Sequence, residues 1–77
     1  MRAIQVIHVE DMITAKMGQR YPDIERIGIR RSAQGWRCES VWMSKGAPSP
    51  DSDYQRLLAE ADGLLADLLR EYEIVQR

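Results

Sequence analysis

Hydrophobic and polar positions fall into four stretches with different periods. Residues 2–9 (RAIQVIHV) are rich in β-branched side chains and alternate loosely, with Ile4 and Val6 on one face and Ile7 and Val9 on the other, which predicts a strand. Val9, Ile13 and Met17 recur at i, i+4 and i+8, the helical spacing. The expected arrangement is a short strand over 2–8 and a helix over about 11–20 capped by Asp11. One longer helix over 4–20 is the alternative. Tyr21-Pro22-Asp23 ends either helix, because the residue before a proline is pushed out of the α region.

The next stretch alternates with period two. Residues 24–31 and 36–43 flank Ser32-Ala33-Gln34-Gly35, a pattern that predicts a β-hairpin. Strict alternation places Ile27 and Ile29 on one face with Trp36, Cys38, Ser40 and Trp42, and this is the expected core face. The opposite face then carries Arg26, Arg30, Arg37 and Glu39, with Ile24, Val41 and Met43 at its far end.

After a connector holding Pro48 and Pro50, apolar residues return at helical spacing from Tyr54 through Leu57, Leu58, Ala61, Leu64, Leu65, Leu68 and Leu69 to Tyr72. A long C-terminal helix over about 51–73 is expected, with Asp51 and Asp53 in its first turn complementing the helix dipole. The predicted fold is therefore α+β: a sheet of two or three strands, one face under a long C-terminal and a short N-terminal helix, in a single domain over 1–77.

At 77 residues the core is near the smallest that stabilises a fold alone, which favours self-association. The leucine stripe is wider than a two-stranded hairpin covers, so Leu58, Leu65 and Tyr72, spaced by seven, are candidates for a seam with a second copy or a partner helix. Mid-helix Gly63 costs about 1 kcal/mol relative to alanine and marks either a close approach or a surface position.

Charge sharpens this picture. The formal net charge of -1 conceals a division. Residues 16–45 hold seven basic side chains against three acids, and residues 51–77 hold seven acids against three arginines. On the basic side, Arg26, Arg30 and Arg37 are candidates for contact with phosphates or an acidic partner, and Trp36 or Trp42 could stack on a base if exposed. On the acidic side, Glu60, Asp67 and Glu71 are candidates for docking on a basic protein surface. A slightly acidic chain with pI near 5.7 is unlike most nucleic-acid domains.

Catalytic chemistry finds little support. His8 is the single histidine and lies in an apolar run, while Cys38 falls on the expected core face, where a thiol behaves as a small hydrophobe. No metal-ligand spacing, glycine-rich phosphate loop or nucleophile elbow is present. No cofactor or small-molecule substrate is expected. The lone cysteine, an N-terminus without a long apolar run and the lack of any membrane-length apolar stretch point to a cytoplasmic protein.

The order strand, helix, hairpin, acidic helix, with Tyr21-Pro22-Asp23 before the hairpin, resembles in layout the small bacterial RecA-modulating proteins of the DinI type. The region before that turn is shorter here, and no residue role is carried over. The expected function is non-enzymatic: a regulator or inhibitor that docks on another protein, with a homodimer as one form. The alternative is a nucleic-acid-binding regulator that contacts phosphates through the arginine face.

Overall fold

The computed structural model describes residues 1–44 and 52–76. Its elements are β1 (Arg2–Gln5), α1 (Val6–Arg20), β2 (Ile24–Ser32), β3 (Gly35–Met43), α2 (Ser52–Leu69) and β4 (Tyr72–Val75). The expected connector, with Lys45 and Asp51, lies outside the described residues, as do Arg77 and the side chain of Asp53.

The fold is α+β, with two small sheets. β2 and β3 form the antiparallel hairpin, and β1 pairs in parallel with β4. Both helices are displaced from their expected bounds. α1 begins at Val6, straight out of β1, with Gln5 at its N-cap and no side-chain cap bond. Asp11, the expected cap, is an exposed residue inside the helix. α1 stops at Arg20 as expected, and the Tyr21 N–H closes the last turn on the Met17 carbonyl at 2.8 Å.

The C-terminal helix ends at Leu69, not at 73. The Arg70 and Glu71 N–H groups bond back to the Asp67 and Leu68 carbonyls, a three-residue spacing that tightens and ends the helix. The chain then extends, and Ile74 and Val75, β-branched and suited to a pleat, pair with Ile4 and Gln5. Tyr72 fits the helical period in sequence but sits opposite Arg2, whose guanidinium lies 5.3 Å from its ring centroid.

The core is built from three stripes. α1 supplies Val9, Ile13 and Met17, and α2 supplies Leu57, Ala61 and Leu65, each set at i, i+4, i+8. The hairpin supplies Ile24, Ile27, Ile29, Cys38 and Val41, and Ile74 joins from β4. At roughly 1.5–3 kcal/mol for each large apolar side chain buried, these stripes provide the main driving force. The hairpin turns through Ala33 and Gln34, and Gly35 takes φ +109°, a conformation nearly closed to residues with a Cβ.

Candidate functional site

Two β-bulges decide what the hairpin shows to solvent. Glu25 on β2 and Glu39 on β3 have no opposite partner, and the register slips by one at each. A bulge of one residue reverses the face of everything beyond it. Strict alternation, which put Ser40 and Trp42 in the core and Ile24, Val41 and Met43 outside, therefore fails past Glu39 on β3 and past Glu25 on β2. Ile24 and Val41 are buried and Met43 is half-buried, whereas Trp42 is 53% exposed. Cys38, Ile27 and Ile29 keep their expected places, and Trp36 packs half-buried against the same core.

The outer face has three rows. Arg30 lies directly opposite Arg37 at one end, Gly28 opposite Ser40 in the middle and Arg26 opposite Trp42 at the other end. A Cβ placed on Gly28 would sit 2.6 Å from Ser40 Oγ and 3.6 Å from Trp42 Cζ3. The indole thus lies across a position that has no side chain of its own.

The three expected arginines do not converge. Arg26 turns away to α1, where its guanidinium meets Glu10 at 2.6 Å and Asp11 at 3.8 Å. Arg30 meets Glu39 at 3.0 Å in the open, with the two side chains 74% and 52% exposed. Arg37 is exposed. Arg30 and Arg37 remain a cationic pair, and like charges placed directly opposite one another destabilise a sheet.

Both long edges of the hairpin are occupied by helix side chains. On β2, the Ile29 N–H donates to Glu10 Oε2 at 2.8 Å and the Ile27 N–H to Thr14 Oγ1 at 3.0 Å. The Thr14 hydroxyl donates in turn to the Glu10 carbonyl at 2.6 Å. On β3, the Cys38 N–H donates to Asp62 Oδ1 at 2.7 Å. Burial, then the neighbouring Asp62 and Glu10 carboxylates, push the Cys38 thiol up to about 12, so it stays protonated. His8 is exposed on α1.

Leu58, Leu65 and Tyr72, expected as a seam, do not share one exposed helix face. Leu65 is 1% exposed and Leu58 half-buried, while Tyr72 belongs to β4. The acids also separate. Glu60 accepts from the Tyr21 hydroxyl at 2.9 Å, a bond that raises the Tyr21 pKa, and also pairs with Arg20 at 3.5 Å. Asp67 is exposed on α2, and Glu71 stands in the turn after it. Sequence reasoning missed Gly28, Glu10, Thr14 and Asp62. The only available signal was the i, i+4 spacing of Glu10 and Thr14 beside the buried stripe of α1.

Comparisons with protein-family models, with curated proteins and with solved structures find no match to this chain. Among the described residues no helix is long and apolar enough to cross a membrane.

Proposed function

We propose that this protein is a non-enzymatic protein-binding module, a regulator or inhibitor that docks on another protein through the outer face of its hairpin. The observation that carries this is Trp42: a large, half-exposed aromatic lying across Gly28 on the same face as Arg30 and Arg37. Tryptophan and arginine are the residues most enriched where protein interfaces concentrate their binding energy. The protonated Cys38 thiol supports a non-catalytic role, and as a free buried thiol it suits a reducing, cytoplasmic setting.

The same indole and guanidiniums favour a second reading, in which a single strand of nucleic acid stacks a base on Trp42. Comparative capture separates the two. Wild-type protein, Trp42→Ala and the double variant Arg30→Gln/Arg37→Gln are immobilised and exposed to extract of the native cell. A protein retained by the wild type and lost from both variants, with no nuclease sensitivity, is the expected result. Salt-sensitive retardation of oligonucleotides by the wild type alone would replace the first reading with the second.

A further inference from the structure

On the protein-binding reading, the outer face also says what its partner carries. We propose that it receives an acidic peptide segment, with a carboxylate seated at the Arg30–Arg37 pair and an apolar side chain packed against Trp42 over Gly28.

Folding gives no reason for the arginine pair. Arg30 and Arg37 stand directly opposite one another, an arrangement that costs stability. Among the described residues Glu39 pairs with Arg30 and no carboxylate pairs with Arg37, so the two arginines retain surplus positive charge for an incoming anion. A planar guanidinium takes a carboxylate through two parallel N–H donors. Glu39 thereby becomes an internal competitor that an external carboxylate displaces from Arg30.

The rest of the face defines the other end of the segment. The row at Gly28 and Ser40 is low, and the Trp42 ring lies beyond it with its surface half open. From Arg37 to Trp42 the strand covers about 13–16 Å at its usual rise. The ligand therefore holds an acid and an apolar residue four or five positions apart in extended conformation. It lies across the face and does not add a strand, because Glu10, Thr14 and Asp62 already occupy edge N–H groups on both strands.

A peptide suits the charge distribution better than a nucleic-acid strand. The cationic row is short, with Glu39 inside it and exposed Asp67, Glu71 and Glu73 elsewhere on a chain of net charge -1. A few carboxylates meet only the arginines.

The test uses Trp36→Phe, which leaves Trp42 as the only indole, with calorimetry on the unaltered protein as a second measurement. Three peptides share one phenylalanine and differ four residues away, carrying a Glu pair, a Gln pair or a Lys pair. A single-stranded oligonucleotide is the fourth probe. The acidic peptide is expected to bind saturably, to weaken about tenfold in Arg30→Gln/Arg37→Gln and to tighten severalfold in Glu39→Gln. Equal binding of the Gln peptide overturns the acidic inference and leaves protein binding standing. Binding of the oligonucleotide alone overturns both. No binding of any peptide, or indifference to all three arginine-row substitutions, overturns the inference.

Discussion

Cys38 shows how one residue on β3 is shaped by both helices. Its thiol is desolvated beneath the hairpin and flanked by Asp62 from α2 and Glu10 from α1, and each influence disfavours the thiolate. The pKa is therefore raised from its ordinary 9.0 to about 12. The folded state keeps a proton that the unfolded chain releases, so this contribution is complete below pH 9 and is lost as pH climbs towards 12. Tyr21, raised chiefly by its hydrogen bond to Glu60, acts in the same alkaline direction. Chemical denaturation across alkaline pH should show stability falling in the wild type and a flatter decline in Cys38→Ala. Identical slopes would mean that the thiol does not report on folding. The same residue should resist alkylation at neutral pH until the protein unfolds.

At the scale of elements, the hairpin depends on side chains delivered from outside its own ladder. Glu10 and Thr14 stand one turn apart on α1 and meet two successive outward N–H groups of β2, at Ile29 and Ile27. Thr14→Val keeps the shape of the side chain and removes the acceptor. The expected cost is about 1–3 kcal/mol, the usual penalty for leaving a buried donor unpaired. Amide exchange would locate it, with Ile27 losing protection more than Ile29. Equal loss at both positions would show that the whole strand had loosened and that Thr14 held no particular bond. This arrangement also explains what could be read from the chain. The helical stripes at Val9, Ile13, Met17 and at Leu57, Ala61, Leu65 were legible because periodicity is a local property. The hairpin was legible from Gly35 and its flanking alternation. Trp42 was not, because the bulge at Glu39 leaves the alternating pattern unbroken in sequence while reversing the faces beyond it. β4 was hidden for a related reason: Tyr72 continues the helical period of the leucines, and only its pairing with β1 makes the segment extended. The bonds of Glu10, Thr14 and Asp62 depend on where each helix lies against a strand, and no local pattern records that.

Across the whole molecule, the described parts of the helices cover one face of the hairpin and seal N–H groups on both of its edges, and among the described residues the outer face is left open. Unpaired strand edges invite other strands, which is how sheet proteins associate wrongly. The seals should therefore contribute to solubility beyond what they contribute to stability. Two variants separate these effects. Leu65→Ala opens a cavity in the core and costs about 2–5 kcal/mol, but leaves both edges occupied. Glu10→Ala/Asp62→Ala frees N–H groups on β2 and β3 together and destabilises through lost hydrogen bonds. Both are brought to the same fraction unfolded with denaturant, and association is followed by light scattering and an amyloid-binding dye. The double variant should assemble at concentrations where Leu65→Ala remains monomeric. If the two assemble alike, the exposed unfolded chain drives association, and the contacts of Glu10 and Asp62 matter only for stability. If only the double variant assembles, the two carboxylates keep the ribbon from pairing with its own kind, and partners are confined to the face that carries Trp42 and the two arginines.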